Sequence, residues 1–218
     1  MKTYAPNETD AGAPKRTRIQ ARNEQKILEA ALAAFASQGF HGATVERIAE
    51  QADMSQPNLH RYFPTKLALY RAVLGRILAS WFEPLAALDP DEEPGPALRR
   101  YIARKLELAR TEPEASRVFA HELLQGAPHL QEELRGIVAP NASRFAQTVG
   151  KWVDAGQLRP VDPAHLLFLL WSSTQHYADF APQVAAVLGK SRISKQDYAV
   201  AETTLCDVLL AGLLPHPR

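Results

Sequence analysis

The sequence predicts an all-α protein: a small three-helix unit near the N-terminus, then a larger helical domain. Three observations carry this. Apolar residues recur at helical spacing in nearly every segment between breakers. Ser, Thr and Asp stand where helices should begin, and Gly and Pro stand where they should stop. No segment alternates apolar and polar residues as a half-buried strand does, and no internal repeat is present.

Asn23 to Gln38 forms the first helix, with Ile27, Leu28, Ala31, Leu32 and Phe35 on one apolar stripe and Gly39 as its left-handed stop. Thr44 caps a second helix whose Val45, Ile48, Ala49 and Ala52 face inward. Asp53-Met54 makes a turn. Ser55 then caps a third helix, and Pro57 sits in its first turn, where a missing N–H costs nothing. Leu59 and Phe63 face the core, leaving Gln56, Asn58, His60 and Arg61 outside.

After Pro64, Thr65 caps a long helix to about Phe82, with Leu67, Tyr70, Val73, Leu74, Ile77, Leu78 and Trp81 on its buried side. The acidic, proline-rich run Asp89–Pro96 reads as a loop. Helices are expected over Ala97–Arg110, Glu114–Gln125 and His129–Ala155, the last interrupted near Pro140 and stopped by Gly156. Asp162-Pro163 opens another to about Phe180, Pro182 breaks it, and Lys195–Leu214 is the last.

Composition bounds the function. Within 218 residues, 46% are hydrophobic and 22% charged, which suits a soluble globular chain. The net charge of +1 requires any nucleic-acid surface to be a local patch. The lone Cys206 excludes an internal disulfide and fits a reducing cytosol. The N-terminus has no apolar signal core, and the apolar runs are shorter than the roughly 20 residues a membrane span needs. The expectation is a cytoplasmic protein with no membrane partner.

Thr44–Lys66 (TVERIAEQADMSQPNLHRYFPTK) has the form of a helix-turn-helix, which presents its second helix to a DNA major groove. The amide and guanidinium groups of Gln56, Asn58 and Arg61, with His60 beside them, suit base edges. Thr44 and Lys66 stand at helix starts, where backbone N–H groups join them in holding phosphate. Lys15, Arg16, Arg18 and Arg22 make residues 1–22 a flexible basic arm, read equally as a solvated tail or a DNA contact. Residues 23–66 form the helix-turn-helix domain, and 67–218 a ligand-binding and dimerisation domain.

On the helix after Pro163, Trp171, Thr174 and Gln175 share one face. An indole and an amide one turn apart suit a planar heterocycle with a C=O/N–H edge, and Trp81 can close such a pocket. Spacing alone favours plain core aromatics and a satisfied amide instead. Ser172, His176 and Asp179 also fall at i, i+4, i+7, but no strained nucleophile turn or oxyanion donors accompany them, so a helical enzyme is the weaker alternative. The histidines show no metal-ligand spacing, and no cofactor or catalytic residue is expected.

The run FASQGFHGATVERIAEQADMSQPNLHRYFPTKLALY resembles the TetR family of dimeric transcriptional regulators. EASRVFAHELLQGAP and LLFLLWSSTQHYADFAPQV resemble the regulatory domain of the family's pyrimidine-utilisation branch. The resemblance implies a regulator, repressor in outcome, that binds a near-palindromic double-stranded operator as a homodimer through its last two long helices. It implies that Tyr62 hydrogen-bonds phosphate, and that Trp81, Trp171 and Gln175 bind a pyrimidine such as uracil or thymine. Thr174, Tyr177 and Gln125 are further pocket positions; an unrelated effector is the alternative. Two departures stand out. Asp53 replaces a usual turn glycine, a small cost because Asp tolerates the left-handed conformation. His121 replaces an apolar residue and implies an added polar ligand contact.

Overall fold

The computed structural model describes residues 18–215, all of its regular structure helical. Lys15 and Arg16 of the expected basic arm lie outside the described residues. Arg18 and Arg22 instead belong to α1 (Arg18–Gly42), which starts five residues earlier than its apolar stripe suggests. Gly39 interrupts α1 in a left-handed conformation (φ 68°), and a further turn carries the chain to Gly42.

Helices α2 (Val45–Gln51) and α3 (Gln56–Tyr62) follow. The Thr44 hydroxyl accepts from Arg47 N at 3.3 Å and caps α2. Ser55 has the extended backbone of an N-cap but makes no side-chain cap bond. Asp53 turns between the two helices at φ 56°, the left-handed conformation that its short side chain tolerates.

Helix α4 (Lys66–Ala86) is the spine of the molecule, and the Thr65 hydroxyl caps it through Ala68 N at 3.0 Å. Its start packs in one core with Ile27 and Phe35 of α1, Ile48 of α2 and Leu59 of α3. Leu85, near its end, packs in a second core. Leu67 is a correction: it is 37% exposed, and Leu69 is the buried residue, in step with Val73, Ile77 and Leu78 on the inward stripe. The helix also runs through Pro84, giving up one backbone bond in its last turn.

Helix α5 (Pro94–Thr111) begins inside the expected loop, because Pro94 occupies a first-turn position that needs no N–H. Helix α6 (Pro113–Leu124) returns against α1 and α4, and its Val118 and Phe119 join the first core. One core therefore spans residues from the reading unit and from the larger domain.

The expected helix over His129–Ala155 is divided into a single turn α7 (Gln131–Glu133), a π-helical turn (Leu134–Val138) and α8 (Ala139–Asp154). Pro140 has no N–H to continue the ordinary ladder; Ala139 N bonds back five residues to Leu134 O, and Asn141 Nδ2 donates to Ile137 O at 2.7 Å.

Helix α9 (Pro163–Asp179) is capped by Asp162; Pro182 then starts the short α10 (Ala181–Val187), and α11 (Lys195–Leu213) closes the fold on a Ser194–Asp197 capping box. The second core joins α5, α8, α9 and α11 around Tyr101, Phe145, Trp152, Leu170 and Cys206. Apolar residues of α11 divide between two environments: Leu213 is buried, whereas Val200 and Val208 are 56% and 68% exposed. Phe168 and Leu169 of α9 are also exposed. No helix among the described residues is long and apolar enough to cross a membrane.

Candidate DNA interface and effector cavity

Helix α3 presents a polar outer face built on one buried anchor, Leu59. Arg61 is exposed, and Gln56, Asn58 and His60 are half-buried. The Gln56 amide donates to Glu46 of α2 at 3.0 Å. The Glu46 carboxyl is held below the usual carboxylate range, first by its own backbone N–H and then by the Thr44 hydroxyl. A ring nitrogen of His60 lies 3.3 Å from Phe63 O, at the end of its own helix.

Tyr62 and Lys66 have internal partners. Asn23 Nδ2 of α1 donates to the Tyr62 hydroxyl at 3.1 Å. Lys66 Nζ donates to Ala43 O at 3.1 Å and reaches His41 O at 3.5 Å, and it stands 4.8 Å from the centroid of the Phe40 ring. Lys66 thus pins the α1–α2 corner, immediately ahead of the capping residue Thr44. Thr44 itself is exposed beside Arg47, another exposed cation that the sequence reading passed over.

Behind this head lies a cavity of about 120 Å³ lined by Trp81, Phe82, Lys105, Phe119, Leu123, Leu134, Val138, Trp171 and Gln175. Four helices and the π turn supply the wall. The Trp81 Nε1–H is buried without an acceptor. Lys105 Nζ lies 4.3 Å from the centroid of the Trp81 ring, and burial pulls its pKa down to about 8 against a weaker upward pull from Asp179. The Gln175 amide makes no hydrogen bond among the described residues. Trp171 is different: its indole donates to the Tyr101 hydroxyl at 3.0 Å, so only its ring is free for a ligand.

Four expected pocket residues lie elsewhere: Tyr177 packs against the second core, Gln125 is exposed, and Thr174 and His121 turn away from the cavity. The Thr174 hydroxyl, fully buried, donates to Leu170 O of its own helix at 2.7 Å and lines no part of the cavity. His121 turns to the opposite side of α6: its ring packs against Gly39 and pairs with Gln125 at 3.3 Å. Among the polar cavity residues, Lys105 is the one that sequence reasoning missed, along with the apolar wall of Phe82, Phe119, Leu123, Leu134 and Val138. The place of Lys105 on the apolar stripe of α5, between Ile102 and Leu106, was the available signal.

Ser172, His176 and Asp179 form no relay. The Ser172 hydroxyl donates to Leu169 O at 3.2 Å, the His176 ring stacks on Phe180, and the Asp179 carboxylate accepts from Ser116 of α6. No cluster of potential metal ligands occurs among the described residues.

Residues 27–73 match the family described as bacterial regulatory proteins, tetR family, and residues 74–216 match the YcdC-like protein, C-terminal region. The chain is 44% identical over 202 residues to the HTH-type transcriptional regulator RutR of Escherichia coli (strain K12), covering 93% of this chain and 95% of that one. It is 26% identical over 200 residues to the HTH-type transcriptional repressor NicS of Pseudomonas putida, covering 88% and 92%. The fold is shared with a tetR-family regulatory protein from Rhodococcus RHA1 (TM-score 0.73, 19% identity, 90% of this chain and 99% of that one). It is shared as well with the ketosteroid regulator KstR2 of Mycobacterium tuberculosis (TM-score 0.70, 16% identity, 88% and 95%). With a helix-turn-helix head on a helical regulatory domain and a relative this similar along nearly its whole length, the chain belongs to the TetR family of DNA-binding transcriptional regulators and is not an enzyme.

Proposed function

We propose that this protein is a pyrimidine-responsive repressor that binds a near-palindromic operator as a homodimer and is released when uracil or thymine fills the Trp81–Trp171 cavity. The observation that carries the reading is chemical. An otherwise apolar cavity offers an unpartnered indole N–H (Trp81), an ammonium (Lys105) and a primary amide (Gln175). A pyrimidine dione has two carbonyl acceptors for the first two, a cis C=O/N–H edge for the amide, and a flat face for the Trp171 ring. The cavity volume suits a single ring.

Transmission follows from α4, which carries Trp81 toward one end and packs into the reading head at the other. Ligand shifts DNA affinity only by its preference for one arrangement of the two heads. In a dimer, two copies of α3 spaced about 34–36 Å apart would enter successive major grooves. Thr44, Gln56, Asn58, His60 and Arg61 are the proposed DNA contacts, with Tyr62 and Lys66 on phosphate. The exposed apolar residues Phe168 and Leu169 of α9 and Val200 and Val208 of α11 support a helical dimer seam.

The test is titration of uracil and thymine into the protein bound to a duplex that it has enriched from random DNA. Release at saturating ligand is expected. Unchanged DNA affinity would exclude the pyrimidine reading and leave a TetR-type regulator of another effector.

A further inference from the structure

After α6, the chain forms a strap that leads into the π turn, whose Leu134 and Val138 close one side of the cavity. The strap is tied to α6 by the Ala127 N–H, which donates to Glu122 O at 2.9 Å, and by the buried Glu122 carboxylate, whose residue is only 1% exposed. Glu122 Oε1 accepts from His129 N at 2.6 Å, and Oε2 faces the His129 ring nitrogen at 3.2 Å. The same Oε2 accepts from the Tyr70 hydroxyl of α4 at 3.0 Å.

The contacts continue to the DNA-reading head. The Phe40 ring, near the end of α1, lies 4.6 Å from the His129 ring and 4.8 Å from the Tyr70 ring, centroid to centroid. Lys66 joins this cluster over the Phe40 ring and holds Ala43 O. On α6, Phe119 and Leu123 flank Glu122 in sequence and line the cavity. One carboxylate thus sits where the cavity wall, α4 and the α1 corner meet.

We propose that Glu122 is the positioning residue that couples the cavity wall to the reading head, by holding the strap and α4 on the same carboxylate. A buried carboxylate is a poor source of net stability even when fully hydrogen-bonded. What its convergent donors do supply is a fixed relative position for segments far apart in sequence. Burial, with the Glu122 charge behind it, pushes the Tyr70 hydroxyl well above its usual range, so it remains a donor. A ligand that moves Leu134 or Leu123 therefore pulls on Tyr70 and Phe40 together. The device deepens the proposed function, because it rests on the cavity being the effector site.

A double-mutant cycle tests it without any ligand. Operator affinity is measured for the full-length wild type, Leu134→Ala, Tyr70→Phe and the double variant on the same enriched duplex. Tyr70→Phe keeps the ring against Phe35 and Phe40 and removes only the hydroxyl link. Leu134→Ala should change operator affinity about threefold or more in the wild-type background and by less than about 1.5-fold with Phe at position 70. Glu122→Gln is the second background and should give the same collapse. Equal effects of Leu134→Ala in all backgrounds, or no effect in any, would overturn the proposal. Calorimetry of uracil with the wild type reports separately: absence of uracil binding removes the pyrimidine reading and leaves the outcome of the cycle to decide the coupling.

Discussion

The Lys105 ammonium lies 4.3 Å from the centre of the Trp81 ring in a site where burial lowers its pKa to about 8. The ring face attracts the cation, but burial disfavours its charge. Under the proposed function, the pair would join ligand binding to the protonation of one lysine.

Stability should accordingly rise with pH between about 8 and 10.5, the native and unfolded values for this lysine. In that window the unfolded chain binds a proton that the native chain has lost, so the slope is positive. Below it both states are protonated and the whole burial cost is present. Denaturant melts at pH 7 and pH 9 should show the gain in wild type and its absence in Lys105→Met. At pH 7 the variant should be more stable by about 1–3 kcal/mol. Its uracil response should be lost, and wild-type uracil affinity should fall as pH rises through 8.

Trp81→Phe isolates the indole N–H. That donor has no protein partner, so its loss leaves no broken bond in the free protein. The smaller ring costs some packing against Phe119. Uracil affinity should drop by roughly tenfold, one hydrogen bond's worth in a dry site. Gln175→Leu should abolish uracil-driven release while leaving free-state operator affinity within about twofold. Calorimetry and gel shift check both; loss of ligand-free DNA binding in Gln175→Leu would assign the amide to folding.

What could be read ahead of the structure follows local chemistry. The helix-turn-helix was legible because its caps, its turn and its apolar stripe lie within twenty-odd residues, and Asp53 adopts the expected left-handed turn. Trp171 and Gln175 were legible as one face of one helix. Lys105 and Glu122 were not, since a charged residue on an apolar stripe finds its meaning in partners from other helices. The same limit explains His121: its chemistry suggested a ligand contact, but the helical register of α6 turns it toward Gly39. The π turn was visible only as a proline in a helical run.

Lys66 has a structural task in the free protein and a proposed one on DNA, and the two can be separated. In the free protein it holds Ala43 O and caps the Phe40 ring. On DNA its proposed role is a phosphate contact. Lys66→Met should lower stability by about 0.5–1.5 kcal/mol through the lost corner bonds. It should also reduce the salt dependence of operator binding by about one unit of log–log slope. A stability loss with an unchanged slope would confine Lys66 to the corner.

The Gln56–Glu46 hydrogen bond places a carboxylate beside the reading helix. DNA must either break that bond or accept a negative charge near its phosphates. Glu46→Gln removes the charge without shortening the side chain. It should raise affinity for operator and for random duplex by a similar several-fold factor and leave their ratio nearly unchanged, because the repulsion acts on every sequence alike. Competition binding at fixed salt measures that ratio. A rise confined to the operator would show that Glu46 reads bases instead.

The exposed side chains Val208 of α11 and Phe168 of α9 provide the test of assembly. Both are exposed, neither lines the cavity and neither belongs to the second core, although the Phe168 ring lies 6.3 Å from the ring of Trp171. A charge at either position meets water in a monomer and a desolvated apolar surface in a dimer. Val208→Glu should leave the melting temperature of the isolated subunit nearly unchanged while converting a dimer to a monomer in sedimentation. Operator affinity should then fall by at least about a hundredfold, since a single head loses the linked second half-site. A variant that stays dimeric and binds operator normally would move the seam off α11, and Phe168→Asp would then report whether α9 carries it alone.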